Sequence, residues 1–173
     1  MEKVKVLVVV DMQNDFITGA LGTSEAVSIV PKVVDKIKNW SGKLYLTQDT
    51  HDSAYLSTQE GSNLPVEHCI KDTVGWELHP VIREACGSAP AFLKSAFGST
   101  DLVAAVSKLS EVQEIEEIQL VGVCTDICVI SNAMLLKSFF PEVPITVDAS
   151  CCAGVTPKSH QQALEAMKMC QIL

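Results

Sequence analysis

The chain has 173 residues, 47% of them hydrophobic and 20% charged, and a formal net charge of -8. That length and apolar content specify one globular domain over residues 1–173 and exclude a disordered chain, which lacks the apolar surface to offset its conformational entropy. The negative charge excludes non-specific binding to nucleic acid or to an anionic membrane, since like charges repel at long range, and leaves a small molecule as the expected partner.

The first element, Val4–Val10, is an almost unbroken apolar run that stops at Asp11 without a small-residue cleavage site, so it reads as a strand and not as a signal peptide. Pro31–Trp40 reads as a helix, with Val33, Val34, Ile37 and Trp40 on one face and Pro31 in its first turn. Leu44–Thr47 is a short strand. Asp49–His79 is polar and without periodicity, the kind of long irregular segment that tends to carry function in a compact domain. Ala91–Leu93 is a short apolar segment ending at Lys94. Ser99 caps a helix running to Leu109, with Leu102, Val103, Val106 and Leu109 as its stripe. Ile118–Val123 is a strand, Cys128–Phe140 an apolar helix and Pro144–Val147 a further strand. Thr156 caps a last helix with Pro157 at its first position. No stretch approaches the roughly 18 apolar residues that span a bilayer. The seven cysteines, odd in number and without an export signal, read as reduced thiols of a cytoplasmic protein.

This alternation specifies an α/β fold, a doubly wound and mostly parallel sheet with helices on both faces, because strands buried on both sides read as continuous apolar runs. Ligands of such sheets bind beyond the carboxyl ends of the strands. Asp11, Asp49, Lys94 and Cys128 all fall there. One acid after one strand is usually a cap or a turn residue, whereas an acid, a base and a thiol on the same rim suggest a shared site. Cys128 begins a helix, where the dipole and unpaired N–H groups favour the thiolate nucleophile. Asp11 can take the thiol proton, Lys94 can stabilise the thiolate, and the helix start can donate N–H groups to an oxyanion. The plainer alternative, a buried helix-start cysteine beside unrelated charges, stays open on this reading.

Asp49, His51, Glu60 and His68 form a second set. In Asp49-Thr50-His51 the two outer side chains fall on the same side of an extended segment. Carboxylates with imidazoles suit Zn, Mn or Fe better than Ca or Mg, although ordinary loop residues give the same pattern. His79 and His160 receive no role. The C-x₃-C spacing of Cys124 and Cys128 is not that of a zinc or redox pair, and Cys151-Cys152 read as a turn after Asp148.

Five segments then carry a resemblance over nearly the whole chain: VVVDMQNDF at Val8–Phe16, TQDTH at Thr47–His51, LPVEHC at Leu64–Cys69, KSAFGST at Lys94–Thr100 and GVCTDICV at Gly122–Val129. In this order they resemble the isochorismatase-like cysteine hydrolases, and among them the nicotinamidases. The resemblance implies a three-layer fold and a catalytic triad of Asp11, Lys94 and Cys128. It implies an oxyanion hole from the N–H groups of Cys124 and Cys128, with a cis peptide between Val123 and Cys124. It implies a divalent metal, zinc first and Mn or Fe next, on Asp49, His51, Glu60 and His68. Many nicotinamidases have a second His where this chain has Ser57, and Glu60 matches a variant that uses a Glu instead. Phe16 and Phe97 are the implied ring walls, and no aromatic stands near Pro65. The implied activity is hydrolysis of nicotinamide, or a similar amide, to nicotinate and ammonia through a thioester on Cys128, by a chain whose relatives are often homo-oligomers. Two rivals remain at this level. One is a metal-independent relative acting on another small amide or a vinyl ether, and the other is a non-catalytic binding or redox relative.

Overall fold

The structure, a computed structural model, describes residues 1–173. Its centre is a five-stranded parallel sheet of β1 (Lys3–Val10), β2 (Lys43–Asp49), β3 (Ala91–Lys94), β4 (Glu114–Val123) and β5 (Ile145–Ala153), in the spatial order β3-β2-β1-β4-β5. The central strand shows why this region reads as one apolar run. Val6, Val8 and Val10 point to one face and Leu7 and Val9 to the other, and all five are fully buried.

Two hydrophobic clusters follow from that alternation. On one face Val6, Val8 and Val10 meet residues of α5 (Thr100–Ser110), α6 (Ile130–Phe139) and α7 (Pro157–Met169). On the other, Leu7 and Val9 meet α1 (Asn14–Ile17), α2 (Ser24–Lys38) and α4 (Pro80–Cys86). The result is a three-layer α/β arrangement. The chain winds outward from β1 through β2 to β3, then returns to β4 on the other side of β1. The strand ends at that reversal open a crevice, which is where such folds bind ligands.

Several boundaries differ from the sequence reading. The helix expected from Pro31 begins at Ser24, because the Thr23 side chain caps it by accepting the Ala26 N–H, and exposed Pro31 lies inside it. Its buried stripe, Ile29, Val33 and Ile37, runs past the proline on the opposite face from the ring. β5 extends well beyond Val147, and Cys151 and Cys152 are buried strand residues, not a turn. The pairing register of β4 with β5 shifts between Leu120 and Gly122, so the extra residues around Asp148 are taken up in a bulge. Short helices α1, α3 (Gln59–Asn63) and α4 carry too few turns to show a period in the sequence.

Gly122 of β4 lies opposite Val10 of β1. Its φ is +117°, and a Cβ there would strike the Val10 carbonyl. Gly122→Ala is expected to cost about 1–3 kcal/mol through a backbone conformation that other residues avoid. A thermal melt should show this as a midpoint lowered by at least about 2–4 °C.

Candidate active site

Each strand of the β3-β2-β1-β4 set delivers one part of the site at its carboxyl end. Asp11 follows β1 with a positive φ of 48°, and its N–H donates to the Thr47 carbonyl at 3.1 Å. This bond holds the carboxylate inward, where it is fully buried. Thr47 Oγ1 donates to Asp11 Oδ1 at 2.6 Å, and Lys94 Nζ lies 2.7 Å from Asp11 Oδ2. Lys94 ends β3 in register with Asp49 of β2. Its ammonium reaches Cys128 Sγ at 3.3 Å and Asp49 Oδ1 at 3.4 Å, so one buried cation joins an acid, a thiol and the second acid.

Cys128 does not begin an α-helix as expected. After β4 the Val123–Cys124 peptide is cis, and residues Thr125–Val129 form a π-helical turn that feeds α6. Ile127 and Val129 both donate to the Cys124 carbonyl, at 3.1 and 3.0 Å, and the Cys124 N–H donates to no main-chain carbonyl. Side chains pin this turn from three directions. Asn132 Nδ2 donates to the Cys128 carbonyl at 2.8 Å while its Oδ1 accepts the Ser99 N–H at 2.9 Å. The Asp126 carboxylate accepts the Val155 N–H at 3.1 Å. Thr125 Oγ1 and His160 Nδ1 are 2.7 Å apart.

The electrostatics also correct an expectation. The helix start was expected to ease loss of the Cys128 proton. Instead burial, followed by the Asp11 carboxylate, pushes the thiol well above its ordinary range, and Lys94 offsets only part of this. The reason is that the thiol of buried Cys128 faces two carboxylates as well as one ammonium. Burial likewise raises Asp11 against the pull of Lys94 and Thr47. Burial opposes the charge of Lys94, but Asp11, Cys128 and Asp49 outweigh it and keep the ammonium protonated. The thiol therefore favours its neutral form, with the Lys94 ammonium 2.7 Å from Asp11 Oδ2 beside it.

The second set gathers beside the first. Gln13, buried, holds Asp49 by a two-way clasp: its Oε1 accepts the Asp49 N–H and its Nε2 donates to the Asp49 carbonyl, both at 2.8 Å. His51 pairs in parallel with Ile70, and its N–H donates to the Cys69 carbonyl at 3.0 Å, which brings His51 alongside His68. Glu60 sits in the first turn of α3, capped by Thr58. Ligand atoms of Asp49, His51, Glu60 and His68 all lie within 4.8 Å of one another. His51 Nε2 is 3.0 Å and His68 Nε2 3.5 Å from Asp49 Oδ2, and Glu60 Oε1 is 3.7 Å from both nitrogens. Because the Val66 carbonyl can only accept, His68 Nδ1 donates to it at 2.8 Å, which leaves the Nε2 lone pair of a neutral ring aimed at the cluster. Tyr55 packs its ring 4.7 Å from His51 and 4.9 Å from His68, fixing both imidazoles. Two imidazoles and two carboxylates, converging and mostly buried, fit a borderline divalent cation such as zinc.

Both sets border one cavity of about 650 Å³, whose wall includes Asp49, Glu60, His68, Cys124, Cys128, Phe16 and Phe97. Asp11, Lys94 and His51 stand behind that wall. Phe16 is buried with its ring 5.6 Å from His68, whereas Phe97 is exposed at the mouth. The structure thus brings together all the residues singled out in the sequence. It adds Gln13, Thr47, Tyr55 and Asn132, to which the sequence assigns no role, and it corrects His160, set aside in the sequence but packed against the turn that carries Cys128. Asn132 stands one helical turn after Cys128 and Gln13 lies inside the first motif, so both had a positional signal. His160 had none.

Residues 5–173 match the model of the isochorismatase domain family. The chain is 25% identical to the nicotinamidase of Escherichia coli, over 95% of this chain and 90% of that protein. It is 26% identical to the nicotinamidase of Saccharomyces cerevisiae, over 95% of each. Among solved structures, the zinc complex of the Pyrococcus horikoshii pyrazinamidase superposes with a TM-score of 0.80 at 26% identity, covering 97% of this chain and 96% of that one.

Proposed function

The chain belongs to the isochorismatase domain family, and from that premise we propose that it is a cysteine amidohydrolase, acting on nicotinamide or a closely related heteroaromatic carboxamide with the help of a bound divalent metal. It is a hydrolase of amide C–N bonds, as its relatives are. One observation carries the finer reading. Lys94 Nζ lies within 3.4 Å of Asp11, Cys128 and Asp49, so the nucleophile and the metal-ligating cluster share one buried cation.

Asp11 takes the Cys128 proton as the thiolate attacks the amide carbonyl and the C–S bond forms. Lys94 stabilises the emerging thiolate and keeps the Asp11 carboxylate in place. The N–H groups of Cys124 and Cys128 hold the oxyanion. Asp11 then gives its proton to the departing nitrogen, the C–N bond breaks, and ammonia leaves a thioester on Cys128. Water, deprotonated by Asp11, attacks the thioester, and the carboxylic acid leaves as the thiol recovers its proton. When bound by Asp49, His51, Glu60 and His68, a divalent metal supplies a Lewis acid for the ring nitrogen. Phe16 flanks the ring on the His68 side, and Phe97 closes it from the mouth.

The vinyl-ether reading meets an electrostatic obstacle. Isochorismate carries two carboxylates, and the cavity wall holds Asp49 and Glu60 but no Lys or Arg. Burying an unpaired carboxylate there is strongly unfavourable. Protein purified without added metal is expected to hold close to one equivalent of zinc by elemental analysis, and stripping it should abolish most ammonia release. Glu60→Gln should loosen the metal by at least about tenfold. Full activity after complete stripping would instead establish a metal-independent enzyme.

A further inference from the structure

The cavity is far larger than the amide that its floor recognises. A bare pyridine carboxamide fills on the order of 150 Å³ at interior packing density. The cavity measures about 650 Å³. Beside polar Thr23, Gln59 and Asn63, its outer part is lined by apolar side chains: Leu21 and Ala26 come from the α1–α2 connection and the start of α2, Leu64 follows α3, and Val155 lies between β5 and α7. Leu64 is 37% and Val155 49% exposed, so separate segments present unpartnered apolar side chains to the same space.

We propose that this outer half is a second subsite, which takes an uncharged, apolar substituent on the ring of the amide substrate. The inference rests on the reading above, because that reading orients the ring. With the carboxamide at Cys128 and the ring nitrogen turned to the Asp49–Glu60–His68 side, ring carbon 2 lies between them and faces the floor. Ring carbon 5 lies diametrically opposite and faces the outer wall. The lining offers no Lys or Arg to pair with an anionic substituent, so burying one there is unfavourable. Each methylene transferred from water to such a surface strengthens binding about three- to fourfold.

Ammonia release from nicotinamide, 5-methylnicotinamide, 5-propylnicotinamide and 5-carboxynicotinamide tests this. The expected result is a kcat/KM for the 5-propyl amide at least tenfold above that for nicotinamide, with the 5-carboxy amide well below both. Leu64→Ser and Val155→Ser should each move the propyl-to-hydrogen ratio toward one. A 5-propyl amide cleaved no better than nicotinamide, or a ratio unmoved in both variants, overturns the subsite. If none of the amides is hydrolysed, the functional reading itself has failed, and calorimetry on the intact protein decides the subsite alone. In that case 5-propylnicotinamide binding at least tenfold tighter than nicotinamide supports the subsite, and equal affinity overturns it.

Discussion

Cys128→Ala is expected to lower kcat for ammonia release from nicotinamide by about four orders of magnitude or more, the scale seen when a covalent nucleophile is removed from a triad that acts as a unit. Cys124 also borders the cavity, but Lys94 donates to Cys128 and not to it. The variant should keep its fold, because the side chain is small and Asn132 and Asp126 pin the turn through groups other than the sulfur. Binding of nicotinamide, measured by calorimetry, should change little, since the oxyanion donors act mainly in the transition state. Activity within tenfold of the parent would remove Cys128 from the mechanism.

Lys94→Met is expected to damage both stability and activity. The Lys94 side chain is 2% exposed, and its ammonium pairs with fully buried Asp11 at 2.7 Å and with Asp49 at 3.4 Å. Removing one partner of a buried pair leaves a charge without compensation, at a cost of about 3–5 kcal/mol. For a chain of this size that corresponds to a melting midpoint lower by roughly 6–20 °C. The pH dependence has a definite sign. Lys94 is the strongest influence pulling the Asp11 carboxyl down, so its loss raises that carboxyl further above its unfolded value. A group so raised binds more protons in the folded chain, and stability falls as pH rises through the raised value. The deficit should therefore be larger at mildly alkaline than at mildly acidic pH. Asp11→Asn combined with Lys94→Met should recover part of the midpoint, because the orphaned carboxylate is gone, and recover no ammonia release. A double variant as unstable as Lys94→Met would show that the charge of Asp11 is not the cause.

How much was legible in the sequence depends on how local each signal was. β1 and β4 are long enough for both buried faces to register as continuous apolar runs, and Ser99 and Thr156 announce their helices because a cap needs only a few residues. Pro31 misled because its preference for a first turn is a local average. The Thr23 cap and the packing of Ile29 and Val33 against the sheet outweigh it. Cys151-Cys152 misled for a similar reason. A bulge that absorbs Asp148 lets β5 resume where a turn was expected. Within the site, Asp11, Lys94 and Cys128 stood out as residues at strand ends. Their separations came only from the parallel register of β1, β2 and β3 and from the turn after β4.

Sequence alone determined the order of the strands and the longer helices, the rim on which the chemistry sits and the residue types available to it, because periodicity, capping and strand-end position are written in short stretches of chain. The tertiary structure decided the rest. It turned an expected easily ionised thiol into a protonated one, since burial and two carboxylates act through space and not along the chain. It gathered Glu60 with Asp49, His51 and His68 from a segment without a period. It also set the cavity's size and gathered the apolar residues of its outer part, which come from three segments distant in sequence that meet only when the sheet and its helices pack.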